Sequence, residues 1–506
     1  MSMSFVGRAA KSAANVRHLL ASMLGAGGAL LIAKFVLPPG ETAAAEFQRP
    51  EGEEQQQSSD VGSSAGSSGG GSSKDELQLV QVVFRHGART PLGKRYWPEL
   101  GPKWDVCGKA FDAVPVEVLS LDGRPRPTNP DDQRQVDQRY EGGCSKGELT
   151  LVGQEQAREF GRWLRWRYHM VHGLLPERHE PGVVNARSTN YSRTIATLQG
   201  VLSGLFPGTK EPIVVHTTEE IDEILYHNVT SCRKLHKLMK GLKQQLKEEM
   251  HGEQPTHTEE LQQRVQAALG LPPEDKVHWV DLHDAMTTML THGKEVPAAL
   301  RDQAVLRGIN EHATQRFMHL IAPHPDTGKH QEVLRLGMGV LLEMMVRRME
   351  HAAAGGKSSS PRMFLYSGHD SSLMPLLAAL GKEVTDWPPY LSNLTLELWK
   401  QPQGQQYVKV LYNQKELPLT ELCGGPTCEL RQFREQVLGP YLLTKEEKEK
   451  ECLLHFLHDQ PAGEHTETEA VQPGSAFPDD EAEAAVAVAA GGAGSEAGAT
   501  PPTKQE

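Results

Sequence analysis

The densest chemistry in this chain sits in one heptapeptide, Arg85-His86-Gly87-Ala88-Arg89-Thr90-Pro91. Two guanidiniums four residues apart flank a histidine. Charge of one sign is costly to bury in a core. It suits a dianionic phosphate, which an arginine fork holds through paired, charge-assisted hydrogen bonds. Between the arginines, His86 has the chemistry of a nucleophile, a general base or a phosphate ligand. The apolar run from Leu77 to Phe84 precedes the motif and reads as a buried strand. That strand delivers the three side chains to its carboxyl end, where open α/β sheets bind ligands.

A second cluster lies far downstream. The stretch Arg362-Met363-Phe364-Leu365-Tyr366-Ser367-Gly368-His369-Asp370 runs from a short apolar strand into a His-Asp pair, and Leu373 to Leu380 then reads as a helix. Between the clusters, Val183 to Ala186 reads as a strand ending at Arg187, with Ser188-Thr189-Asn190 and Arg193-Thr194 behind it. In this order, each after a strand, the three features resemble the signature of the histidine acid phosphatases: RHGxRxP first, a His-Asp pair last, a third arginine between. The resemblance spans about residues 75 to 455. Gly147-Glu148-Leu149-Thr150, Gly153, Gln156 and Leu164-Arg165-Trp166-Arg167-Tyr168 are similar to the family's segment between the first and third motifs. Pro212 to Cys232 and Trp387 to Cys428 resemble one branch in particular, the lysophosphatidic acid phosphatase type 6 branch. Gly368 stands where that branch usually carries alanine, a small-for-small exchange expected to leave the site undisturbed.

The resemblance implies an α/β fold with a mainly parallel sheet, helices on both faces and a smaller helical lobe over the active-site mouth. It also implies a metal-independent phosphomonoesterase that works through a phosphohistidine, with no cofactor. His86 is the nucleophile, and Asp370 protonates the leaving alkoxide. Arg85, Arg89, Arg187 and His369 surround the phosphate. The implied reaction converts lysophosphatidic acid to monoacylglycerol and phosphate, by a monomer that touches membranes peripherally. Two other readings stand beside it: the same class with another specificity, small esters or phytate, and a non-catalytic phosphate-binding relative. The mark of the last is loss of His86, Arg89 or Asp370, and all three are present. Arg193 is expected to hold a nearby carboxylate rather than the substrate, and Trp387 to pack.

The elements that must position these residues alternate strand and helix. Gln154 to Val171 is an amphipathic helix, Tyr191 to Leu205 another, and Pro212 to Thr217 a strand. From about 230 to 320 the chain turns charged and helical, with packing stripes Leu235, Leu238, Met239, Leu242, Leu246 and Leu261, Val265, Leu269. Gln331 to His351 is a long helix. Leu394 to Trp399 and Tyr407 to Tyr412 form a closing hairpin.

The chain ends are of a different kind. Residues 41–74, rich in Gln, Ser and Gly over 51–73, read as a flexible linker. Residues 459–506 read as a disordered acidic tail. That tail contributes −9 to the formal charge of −12, so the remainder is near neutral at −3. No basic stripe supports nucleic-acid binding, and a near-neutral body argues against a highly phosphorylated substrate. Residues 1–40 are acid-free, with Arg8, Lys11 and Arg17, the composition of a mitochondrial transit peptide. The apolar run His18 to Ala33 is the rival signal, for the secretory pathway or a short anchor. The six cysteines fit neither a dense disulfide framework nor a zinc site. Cys423 and Cys428 either close a tight loop as a disulfide or remain two thiols beside a turn. Sequons at Asn190, Asn228 and Asn393 are too common by chance to carry weight.

Overall fold

A computed structural model describes residues 74–93, 96, 103–252, 258–355, 360–425 and 427–458. The targeting segment, most of the linker and the acidic tail lie outside the described residues. One unit, residues 71–288 with 296–506, holds every site residue.

Strand β1 (Glu76–Arg85) is buried along nearly its whole length, so both of its faces need cover. Its neighbours are β2 (Val116–Ser120), β3 (Val184–Ser188), β4 (Ile213–Thr217), β5 (Met363–Gly368), β6 (Asn393–Lys400) and β7 (Gln406–Tyr412). Short strands β8 (Lys415–Glu416) and β9 (Cys428–Glu429) pair with β7. The order is β2-β4-β3-β5-β1-β6-β7-β8. From β2 to β1 the pairing is parallel, and from β1 onward it is antiparallel. The sheet is therefore mixed, a parallel half joined to an antiparallel one. β2 carries no apolar run and escapes sequence reading.

On one face, Val80, Val82 and Phe84 pack with Ala157, Phe160 and Leu164 of α1 (Leu151–Arg165) and Leu198 and Val201 of α2 (Ser192–Leu205). α1 continues as a π-helical turn, Trp166–Val171. The helical block follows as α3 (Arg233–Gly252), α4 (Thr258–Leu269), α5 (Trp279–Thr291) and α6 (Gln303–Ile321). On the opposite face of the sheet, Leu79 and Val83 meet Met338, Leu341 and Met345 of α7 (His330–Ala353) and Leu373 and Leu376 of α8 (Asp370–Ala379). The predicted stripe residues Leu235, Met239, Leu242, Leu261 and Val265 are buried. No helix among the described residues is long and apolar enough to cross a membrane.

All six cysteines are paired; the Cys423–Cys428 alternative closes as a disulfide, and two further bridges were not foreseen from the sequence. Cys107 joins Cys144, Cys232 joins Cys452, and Cys423 joins Cys428, with Cα separations of 5.6, 4.9 and 5.4 Å. Two of the bridges span 37 and 220 residues. Only folding brings such partners together. Cys232 at the start of the helical block is thereby tied to α9 (Lys445–His458) near the end of the domain. The three sequon asparagines are all buried, at 5% exposure or less.

Candidate active site

Strand register builds the site. β1 and β5 run parallel with Arg85 opposite Gly368, so the residues that follow each strand emerge side by side. The His86 amide donates to the Gly368 carbonyl at 3.0 Å, and the His86 and His369 rings stand 5.7 Å apart. Helices α1 and α2 brace the loop after β1. The Gly87 amide donates to Thr197 Oγ1 at 3.1 Å, and the Ala88 amide to Gln156 Oε1 at 3.0 Å. Thr150 caps α1 and donates its hydroxyl to the Ala88 carbonyl. A β-carbon at Gly87 would stand 2.5 Å from the Gly153 carbonyl oxygen, so this close approach requires glycine.

His86 Nδ1 lies 2.9 Å from the Gly87 carbonyl. A carbonyl only accepts, so Nδ1 carries the hydrogen and Nε2 keeps its lone pair. Burial, then Arg89, Arg193 and Arg85, hold the His86 pKa well below its usual value. The neutral, nucleophilic form of the ring is thereby favoured.

Three buried arginines converge on this ring. Arg85 donates through Nη1 to the Pro388 carbonyl at 2.5 Å and pairs through Nη2 with Asp370 at 2.9 Å. Its guanidinium lies 4.5 Å over the Tyr390 ring. Arg89 pairs with Asp284 at 2.8 Å. Arg193, in the first turn of α2, donates only Nη1, to Gln135 at 2.9 Å, and its Nε and Nη2 have no partner. Nε of Arg85 and of Arg89 is likewise unpartnered. Burial and the neighbouring Arg89 push the Arg193 pKa down to about 10. Buried donors without acceptors are costly, and several around one histidine make a seat for an anion.

Arg187 is not brought to this seat, a correction to its expected place. It pairs with buried Glu223 at 2.9 Å. It lines a cavity of about 1020 Å³ with Glu343, Met344 and Arg347 of α7. Strand alternation is the cause: Val184 and Ala186 face the α1–α2 core, so Arg187 must face the other way. The same period-two argument could have found this from sequence. Arg193, expected to hold a carboxylate, has none and takes the place beside His86.

His369 is oriented by threonines. The Thr194 hydroxyl lies among the Thr189 and Tyr191 carbonyls, which take its hydrogen, so it accepts from Thr189 Oγ1 at 2.9 Å. The Thr189 hydroxyl is then left to accept from His369 Nε2 at 3.0 Å. Burial and the arginines lower the His369 pKa, Arg193 being first among the charges. Asp370 opens α8 and accepts from Ser371 N, from Arg85 and from the Trp387 indole at 2.8 Å. Trp387, expected to pack, thus orients the carboxylate. Gly368 is also less exchangeable than expected. A β-carbon there would stand 2.5 Å from Ser372 Oγ, which accepts from the His369 amide.

Helix α5 covers the site. Val280, His283, Asp284 and Thr287 close over Arg85, Arg89, Asp370 and Trp387, leaving a cavity of about 10 Å³, room for about one water. The group of metal-ligand types formed by Cys107, Cys144 and Glu148 has its sulfurs committed to a disulfide.

The Histidine phosphatase superfamily (branch 2) matches residues 76–413. Lysophosphatidic acid phosphatase type 6 of Bos taurus is 30% identical over 385 residues, 74% of this chain and 86% of that protein. Prostatic acid phosphatase of Homo sapiens is 25% identical over 383 residues, 72% and 86% of the two chains. Among solved structures, apo Hafnia alvei phytase shares the fold with a TM-score of 0.52 at 16% identity, covering 76% of this chain and 99% of its own. With the motif match spanning β1 to β7, the chain belongs to branch 2 of the histidine phosphatase superfamily and is a histidine acid phosphatase.

Proposed function

We propose that the protein hydrolyses lysophosphatidate to monoacylglycerol and phosphate through a phosphohistidine on His86. The observation that carries the mechanism is a neutral imidazole, its Nδ1 tied to a carbonyl, among three arginines with open donors. Nε2 attacks phosphorus and the ester P–O bond breaks. The arginines hold the equatorial oxygens, where charge spreads in the loose transition state. Asp370 gives its proton to the departing alkoxide, a poor leaving group without it. Water then attacks the phosphohistidine, and Asp370 takes back a proton as phosphate leaves. Arg85, Arg89 and Arg193 form the phosphate cradle, with His369 beside it.

The lipid specificity is supported by the identity to the type 6 lysophosphatidic acid phosphatases. The apolar Val280 and Trp387 next to Asp370 offer a wall that suits a lipid leaving group better than a sugar. A panel of lysophosphatidate, phosphatidate, phytate and sugar phosphates tests this reading. The largest kcat/KM is expected for lysophosphatidate, and a preference for phytate would overturn the specificity. Quenching in alkali, where phosphohistidine survives, should leave label from substrate on His86.

The three disulfides support folding in an oxidising compartment. That favours the secretory reading of residues 1–40 over delivery to the reducing mitochondrial matrix. A reporter carrying this segment should enter the secretory lumen, and import into the matrix would refute the assignment.

A further inference from the structure

Helix α5 belongs to the helical block between β4 and α7, yet it brings a carboxylate into the phosphate site. Asp284 Oδ1 accepts from Arg89 Nη2 at 2.8 Å, and Oδ2 accepts from Arg89 Nη1 and from the Leu92 amide, each at 3.4 Å. The Arg89 and Asp284 side chains are 2% and 11% exposed. Burial alone would raise the Asp284 pKa, but Arg89, Arg85 and the Leu92 amide together turn the net shift downward. The carboxylate is therefore ionised.

A guanidinium offers two forks, one from Nη1 and Nη2 at its tip and one from Nε and Nη2 along its side. Asp284 takes the tip of Arg89. The second Nη1 hydrogen goes to the Thr90 carbonyl at 3.1 Å. What remains is the Nε–H, which has no partner, and one Nη2–H. Together these form the side fork, complete and unoccupied by any protein group. A competing carboxylate would be expected to cover the donors that the substrate needs. This one leaves a matched pair of them free.

We propose that Asp284 is the positioning residue for Arg89, holding the guanidinium by its tip so that its side fork receives the substrate phosphate. The inference rests on the phosphate seat around His86. It makes the helical insertion part of the catalytic apparatus as well as its cover. The ionised carboxylate also adds negative charge at the mouth, next to the single phosphate that the arginines neutralise.

The test is a double-mutant cycle on the full-length protein, with inorganic phosphate affinity read by calorimetry and kcat and KM read with lysophosphatidate. D284N should weaken phosphate binding and lower kcat/KM by about 10-fold, the order seen when a group that orients a ligand-binding side chain is lost. In an R89A background, D284N should change phosphate affinity less than about two-fold, because there is no guanidinium left to aim. Equal losses in both backgrounds would reduce Asp284 to general support of the fold. Tighter phosphate binding in D284N would show that Asp284 competes with substrate. Either result overturns the proposal. If D284N fails to fold by thermal melt, D284E carries the same cycle, since one added methylene tips the fork and its cost must again vanish without Arg89. Calorimetry reads phosphate even if no ester is turned over, so failure of the proposed reaction and failure of this inference remain distinguishable.

Discussion

Two buried polar clusters flank β1, and they differ in one respect. Beside its middle, Glu397 of β6 is fully buried and accepts from Arg167 Nε at 2.7 Å, Arg167 Nη2 at 3.1 Å, the Tyr168 hydroxyl at 2.7 Å and the Trp399 indole at 3.0 Å. One carboxylate meets one guanidinium, and both of its oxygens are satisfied. At the carboxyl end of the same strand, Arg85, Arg89 and Arg193 face only Asp370 and Asp284, and Arg193 has no carboxylate. The first cluster is closed and serves the fold. The second is left short of negative charge, an arrangement that a dianion completes. Burial and charge alone do not separate structure from function here; several unsatisfied donors gathered around one histidine do.

The comparison yields an ordered set of expectations. His86→Ala should reduce turnover by more than about 10⁴-fold, the scale of losing a nucleophile. In the unsubstituted protein, kcat/KM should not fall as pH drops through 6.5. The lowered pKa of His86 means that protonation removes the nucleophile only well below that value. A sharp acid-side loss near 6.5 would contradict the burial argument. Asp370→Asn should slow an alkyl ester by about 10²–10⁴-fold and an activated aryl ester much less. Equal single-turnover losses for both would remove Asp370 from proton donation.

Glu397→Ala should act on the other cluster. It leaves Arg167 facing a buried gap and should cost about 3–5 kcal/mol of stability, with kcat per folded molecule unchanged. A kcat effect without a melting effect would break the contrast. Arg193→Met and Arg187→Met should then separate the two arginines. The first should weaken inorganic phosphate by about 10–100-fold, the worth of hydrogen bonds to a charged group. Its melting temperature should be unchanged or higher, because an uncompensated buried cation is gone. The second should strand Glu223 and lower the melting temperature, with phosphate affinity intact. The smallest effect belongs to Gly368→Ala, which must displace the Ser372 hydroxyl and its bond to the His369 amide. About 1 kcal/mol of stability is expected, and a neutral melt would return Gly368 to a freely exchangeable position.

Read alone, the sequence determined the α/β class, the positions of β1, β3, β4, β5, β6 and β7 and of α1, α2, α7 and α8, and the delivery of Arg85, His86, Arg89, His369 and Asp370 to strand ends. These are local properties. Hydrophobic periodicity sets each element and the face it buries, and a motif that directly follows a strand inherits that strand's direction. What lay outside this reach depended on neighbours distant in the chain. Strand alternation turns Arg187 away and is legible in the sequence, but Arg193 reaches His86 only because α2 packs beside the loop after β1. Asp284 meets Arg89 across 195 residues, Trp387 meets Asp370 because the chain returns over α8, and Cys232 finds Cys452 across 220. Such pairs carry no periodic signal, since their geometry exists only once helices and sheet have packed. The mixed pairing of the sheet was decided in the same way. Tertiary structure therefore settled which charges are neutralised and which donors stay open, and that distinction separates the phosphate seat from the rest of the core.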